Sequence, residues 1–301
     1  MKIYKKLIRV LFILLLPALA SFKSNAQPAA AVTLQVFYDQ LSPFGTWLHD
    51  PVNGYVWVPK VEKGFRPYFT NGSWKMTEYG TVWISSYAWG WAPFHYGRWV
   101  FDSLYGWVWI PGLEWGPAWV VWRTNADYYG WTPLTPGFNT NNSFSPDYTV
   151  PADWWVFVPS RYLLSPAFHK HVKSGAQNNI AMMKTAHIIK NTYTANNTNY
   201  ISGPRAQEYA RASGQHVDVY MIKNAAKPGK AAVSQNEITL YKPAVKKWES
   251  GKEPIPAKSV HAAHTIGKLA ALGSAGEITQ HQAQAKKKTK SQPKPLKKQA
   301  K

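Results

Sequence analysis

The chain has 301 residues, a net charge of +20, no cysteine and sixteen tryptophans. The missing cysteine excludes disulfide staples, thiol catalysis and attachment of a lipid through an N-terminal cysteine. The charge is concentrated at one end: residues 37–166 hold seven basic and nine acidic side chains, whereas residues 223–301 hold 17 lysines against four glutamates, which argues against a specific nucleic-acid binder.

The N-terminus has the pattern of a secretory signal peptide over residues 1–26. Lys2, Lys5, Lys6 and Arg9 make a basic start, residues 10–20 are apolar, and Ser24-Asn25-Ala26 supplies small residues for cleavage. The apolar run is shorter than the roughly 20 residues a membrane span needs. The expectation is an exported protein with no transmembrane span, residing in the periplasm, at the outer membrane or outside the cell. Residues 27–36 read as a loose leader.

A unit is then written three times. It opens at Gly45-Thr46-Trp47, Gly72-Ser73-Trp74 and Gly97-Arg98-Trp99, and continues at Val56-Trp57-Val58, Val82-Trp83-Ile84 and Val108-Trp109-Ile110. The central tryptophans of the second marks lie 26 residues apart, and fifteen of the sixteen tryptophans fall between Trp47 and Trp155. Such a period marks a repeated supersecondary unit that builds one core with its neighbours. Each unit reads as a β-hairpin, because β-branched and aromatic residues suit a pleated surface. Asn53-Gly54, Tyr79-Gly80 and Tyr105-Gly106 supply the turns. Gly and Pro recur too often in this region for helices.

The predicted fold is mainly β: three tandem aromatic-rich hairpins forming a small barrel- or sandwich-like domain over residues 37–166. Residues 120–123 and 129–133 close the series, residues 134–153 read as a linker, and residues 154–159 as a last strand packing back. A small α+β element is expected over 167–222, with strands at 188–194 and 199–202, a short helix after Gly203-Pro204-Arg205 ending at Gly214, and a strand at 216–222. Residues 223–301 read as a largely disordered basic tail whose one plausible strand is 238–241.

The region 37–135 resembles exported bacterial proteins with Tyr-x-Trp-x-Pro repeats, also described as proline-rich exported proteins. The likeness rests on Tyr55-Val56-Trp57-Val58-Pro59, Trp89-Gly90-Trp91-Ala92-Pro93-Phe94-His95-Tyr96-Gly97-Arg98-Trp99 and Trp115-Gly116-Pro117-Ala118-Trp119-Val120-x-Trp122-Arg123. The resemblance implies an envelope-associated bacterial protein with a central domain of unknown function. It brings no reaction and no catalytic residues.

Fifteen tryptophans exceed what a domain of this size is expected to bury, so an exposed ligand face is expected. The connectors between hairpins are the natural place for it, at Trp89, Trp91, Trp115, Trp119 and Trp122, with His95 and Arg98 beside them. Each ring has core packing as its alternative. His95 is read either as a proton donor or as a side chain bonded to a backbone carbonyl. Arg98 is read either as an anion holder or as a cation stacked on a tryptophan. Asp39, Asp102 and Glu114 are scattered without the context of a glycosidase pair. His169-x-His171 has no nearby acidic or cysteine partner, so no metal site is assigned. There is no Gly-rich phosphate loop, nucleophile elbow or Walker-type lysine, and no cofactor or catalytic residue is assigned.

The expected function is that of a non-enzymatic envelope protein engaging an envelope glycan or protein through exposed aromatics. Two alternatives stand beside it. One is a glycan-active hydrolase using His95 or a nearby carboxylate. The other is salt-sensitive binding of the lysine tail to an anionic polymer or membrane surface.

Overall fold

A computed structural model describes residues 31–138, 149–173, 175–195, 198–249 and 251–266. The expected signal peptide, the Asn-rich part of the linker (139–148) and the lysine-rich end (267–301) lie outside the described residues. The structure is mainly β, with sixteen short strands in several sheets among those residues. None of these sheets closes into a barrel.

The three predicted hairpins are present, and a fourth follows them. Hairpin 1 is β1 (Gly45–Asp50) with β2 (Gly54–Pro59), and hairpin 2 is β3 (Gly72–Thr77) with β4 (Gly80–Ser85). Hairpin 3 is β5 (Arg98–Asp102) with β6 (Gly106–Ile110), and hairpin 4 is β7 (Val120–Thr124) with β8 (Tyr128–Pro133). In every one a tryptophan sits directly opposite a tryptophan: Trp47 and Trp57, Trp74 and Trp83, Trp99 and Trp109, Trp122 and Trp131. In the first three, the glycine two residues before the first tryptophan makes room for its partner. A methyl group on Gly45 would come within 2.6 Å of the Trp57 ring, and one on Gly72 within 2.7 Å of the Trp83 ring and of the Ile84 carbonyl. The second indole thus lies diagonally across the first strand, where only glycine leaves space.

The hairpins then combine alternately. Hairpins 1 and 3 join edge to edge through Trp57 opposite Trp109, so that Trp47, Trp57, Trp109 and Trp99 form one row across four strands. Hairpin 2 meets hairpin 4 through ring packing: Trp74 lies 4.7 Å from Trp122 and 5.5 Å from Trp131. Phe94 connects the two tryptophan groups, 6.1 Å from Trp83 and 5.8 Å from Trp99. Strand β9 (Val156–Pro159) pairs with β8, as expected for the segment that packs back.

Several expectations are corrected. Residues 35–41 form a helix, α1 (Gln35–Leu41), because Phe37, Tyr38 and Leu41 share a buried face. The described part of the expected leader, from residue 31, is not loose, since Val32 is hydrogen-bonded to Ala244 and Lys246. The element over 167–222 contains an unpredicted helix, α2 (Ala176–Thr185), whose Asn179 is buried and donates to the Ala152 and Trp155 carbonyls. It also contains β10 (His187–Ile188), which pairs with β7 and so belongs to the hairpin-4 sheet. The expected strand pair is β11 (Thr192–Ala195) with β12 (Thr198–Ile201), and the expected helix is α3 (Ala206–Ser213), stopped by Gly214 at φ 69°. The strand expected at 216–222 is confined to β13 (Met221–Asn224).

The basic tail does not begin at residue 223. Strands β13, β14 (Ala232–Val233) and β15 (Glu237–Leu240) make a three-stranded sheet, and β16 (Val260–His261) runs parallel to β1. Residues 260–266 are held by two aspartates that serve two turns. Oδ1 of Asp50 accepts the amides of Val52 and Asn53, while its Oδ2 accepts the amide of Ile266 at 2.6 Å. Oδ1 of Asp102 accepts the amides of Leu104 and Tyr105, while its Oδ2 lies 2.6 Å from Nε2 of His264. Both aspartates and Ile266 are buried.

Two measurements follow from this packing. Gly72→Ala should lower stability by ~1–3 kcal/mol, the usual cost of forcing an extra carbon into a filled site, as read by denaturant unfolding; an unchanged midpoint would contradict the steric account. A chain ended after residue 259 should melt several degrees below one ended after 266, because two buried carboxylates each lose a partner. Equal melting temperatures would show that the segment contributes nothing.

Candidate functional site

Burial decides most of the expected site. Fourteen of the sixteen tryptophans are buried, and only Trp115 and Trp248 are half-buried. The expectation that a domain of this size must leave tryptophans exposed is therefore overturned, and with it the exposed connector face. Trp89, Trp91, Trp119 and Trp122 are each 5% exposed or less. Trp122 is not in a connector at all but in the fourth cross-strand pair. The connectors turn inward because their rings fill the space between hairpins. Trp89 stacks on Tyr87 and Phe94 at 4.4 and 5.6 Å and meets Trp57 edge-on at 5.1 Å. Trp91 packs on Phe37 and Tyr241.

His95 and Arg98 follow their structural readings. His95 is buried, with Nδ1 3.0 Å from the Gly116 carbonyl. Burial is the main cause that lowers its pKa from 6.5 to about 4, partly opposed by that hydrogen bond and reinforced by Lys242. The imidazole is therefore neutral near pH 7. The Arg98 guanidinium lies 3.7 Å from the centre of the Trp119 ring, and Nη1 donates to the Gly97 carbonyl at 2.8 Å.

Trp115 is the expected aromatic site residue that stays part-exposed, and the structure surrounds it with residues that the sequence did not single out. Its ring stacks on His95 at 5.6 Å and meets Tyr79 edge-on at 5.5 Å and Tyr200 at 6.4 Å. Tyr79 in turn contacts Tyr193 at 5.2 Å, and Tyr193 stacks on Tyr200 at 5.6 Å. The Lys242 ammonium sits over two of these rings, 4.6 Å from the centre of Trp115 and 4.8 Å from that of Tyr79, with the Tyr79 hydroxyl at 3.3 Å. Tyr193 is 36% exposed.

Two polar groups of this cluster are buried without a hydrogen-bond partner: Nε1 of Trp115 and the hydroxyl of Tyr200. Burial, then the neighbouring Tyr193, Tyr79 and Glu78, push the Tyr200 phenol well above its ordinary value, so it stays protonated and able to donate. A half-open aromatic cluster with one cation can stack on an apolar ring face while the Lys242 ammonium bonds oxygen atoms at its rim. The participants come from the hairpin-2 turn, the third connector, the β11–β12 pair and the chain after β15. That dispersion explains why sequence spacing alone did not bring them together, although Tyr79 was legible as a turn residue.

The carboxylates do not supply a reacting pair on these contacts. Asp102 has both oxygens engaged, Asp39 accepts from the Gln35 side chain on its own helix, and Glu114 is exposed. The His171 ring is stacked on Tyr162 at 3.6 Å. Among the described residues no group of three or more His, Cys, Asp or Glu is arranged to hold a metal ion. Among the same residues no helix is long and apolar enough to cross a membrane.

Residues 38–138, from within α1 to just past β8, match a family of unknown function (DUF6600). No curated protein and no solved structure matches the chain.

The state of His95 has a measurable consequence. The unfolded chain gains a proton as pH falls through 6.5, whereas folded His95 does so only near 4. Its contribution to stability is thus fully present above pH 6.5 and lost as pH falls from 6.5 towards 4. Thermal unfolding of the parent chain should weaken more steeply across that window than unfolding of His95→Gln. Parallel curves would mean that His95 takes up its proton in the fold as easily as outside it.

Proposed function

We propose that this is an exported, non-enzymatic cell-envelope protein whose hairpin domain binds an envelope glycan at the cluster of Trp115, Tyr79, Tyr193 and Lys242. The observation that carries the reading is the cluster itself: half-open rings from separate segments with an ammonium among them. Aromatic faces suit the C–H faces of sugar rings, and the Lys242 ammonium suits their hydroxyls. Export is supported by the basic-apolar-small pattern of residues 1–26.

The hydrolase reading draws no support from His95, which is buried, neutral near pH 7 and covered by Trp115. The tail reading keeps one specific observation in its favour: residues 267–301 hold nine lysines against one glutamate. Attraction of that kind is non-specific and falls steeply with salt.

The test is binding of the full chain to isolated cell-wall glycan at two salt concentrations. Trp115→Ala and Tyr193→Ala should each weaken binding at least ~10-fold, the scale of a lost aromatic anchor, while a chain ended after residue 266 should bind as before. Tyr193 is the more exposed ring, so its variant keeps the test sharp if Trp115→Ala is unstable. Unchanged binding in both ring variants would overturn the reading. Loss of binding on removing 267–301, with steep salt dependence, would assign it to the lysines instead. Retention of an envelope protein but no glycan would replace the ligand class.

A further inference from the structure

A groove of about 380 Å³ opens beside hairpin 2, between β3, the chain at 161–165 and the segment 215–220. Its third wall is fixed to the hairpin by backbone hydrogen bonds, from the Tyr220 amide to the Met76 carbonyl at 2.9 Å and from the Glu78 amide to the Tyr220 carbonyl at 3.2 Å. The groove is therefore a feature of the fold and not of a wandering loop.

Its chemistry is distinctive. Lys75 and Arg161 both line it, and among the described residues neither pairs with a carboxylate. Each is held near an aromatic ring: Arg161 lies 5.2 Å from the centre of Tyr162, and the Lys75 ammonium 5.7 Å from that of Tyr220. The Tyr162 ring is itself steadied by its stack on His171. The one acidic lining residue, Asp218, lies 3.5 Å from Nε2 of His216, and both are largely exposed. The cationic pair is thus not neutralised from within the groove. The Tyr209 hydroxyl, 3.2 Å from Oε1 of Gln215, adds a polar group, and burial raises its phenol pKa so that it stays protonated.

These features together select a ligand. A guanidinium fork and an ammonium without carboxylate partners favour an anion, and the planar fork matches a carboxylate. The Tyr162 and Tyr220 rings that line the groove beside the two cations suit a ring with an apolar face, and the Gln215 amide suits a ligand rich in hydroxyls. We infer that this groove is a second binding site, separate from the Trp115 cluster, for a sugar residue that carries a carboxylate. It does not require the Trp115 reading to be correct.

The probes are a uronic-acid disaccharide, its neutral parent disaccharide and inorganic phosphate, titrated into the full chain by calorimetry. The uronate should bind at least ~10-fold more tightly than the neutral sugar, the scale of one charge-assisted hydrogen bond. Arg161→Gln and Lys75→Gln should each weaken the uronate by a similar factor, while Trp115→Ala leaves it unchanged. Both substituted side chains are partly or fully exposed, so the fold should tolerate their loss. Three results would overturn the inference. They are equal affinity for the neutral sugar, equal affinity for phosphate, and uronate binding that survives both substitutions, the last assigning it to the lysines of 267–301.

Discussion

A tryptophan set opposite a tryptophan across a short hairpin is the contact on which the rest of the structure depends. Two indoles directly opposite one another fill the width of a two-stranded ribbon, and the larger part of one of them must go somewhere. Here it crosses the first strand diagonally onto the glycine two residues earlier, as the close approaches to Gly45 and Gly72 show. Each hairpin thereby carries its own small core. A lone hairpin is still marginal in water, so the hairpins must combine. They do so in alternation, 1 with 3 through a shared row of four indoles and 2 with 4 through ring packing around Trp74.

That choice settles where the aromatic material goes. Connector rings are needed inside, between the hairpin pairs, and this leaves little of the repeat for the surface. Tyr68 illustrates the demand. It is fully buried at a positive φ of 57°, its hydroxyl donates to the Phe94 carbonyl and accepts from the Trp119 amide, and its carbonyl accepts from the Trp131 indole. Left-handed backbone is costly for a tyrosine, and it is held here by three hydrogen bonds from three parts of the chain. A repeat that uses its aromatics this way is architecture. The part-exposed rings and cations are left at its margins, such as Tyr79 in a turn and Lys242 and Arg161 from later segments.

The hairpins were legible because their signals are local: a glycine, a tryptophan, a β-branched neighbour and a turn pair at fixed spacing. Even so, the fourth copy is legible only as a closing element. Its opening residue is Val120 instead of glycine, and Trp131 follows Trp109 by 22 residues instead of 26. The tight glycine of this hairpin serves a different ring, since a methyl group on Gly130 would come within 2.9 Å of Phe157 on β9. The connectors were misread because the tendency of loops to lie outside fails when a loop is as rich in large rings as a strand. Several of their backbone amides are paired within the connectors, as with the Gly116 amide and the His95 carbonyl at 2.8 Å.

The stretch 260–266 was illegible for a different reason. Val260-His261-Ala262-Ala263-His264-Thr265-Ile266 carries little that would order it alone. What orders it is a pair of aspartates more than 150 residues earlier, each using one oxygen for its own turn and leaving the other buried. A buried carboxylate oxygen without a partner is costly, so those turns require something to cover them. Asp50 and Asp102 occupy matching ends of hairpins 1 and 3, the two that share a sheet, and one later segment reaches both. The same requirement accounts for the buried Ile266 and for the Asn53 side chain that donates to its carbonyl at 3.0 Å. Sequence periodicity could locate the turns and their aspartates, but the need for a cover is a property of the sheet that brings the two turns side by side.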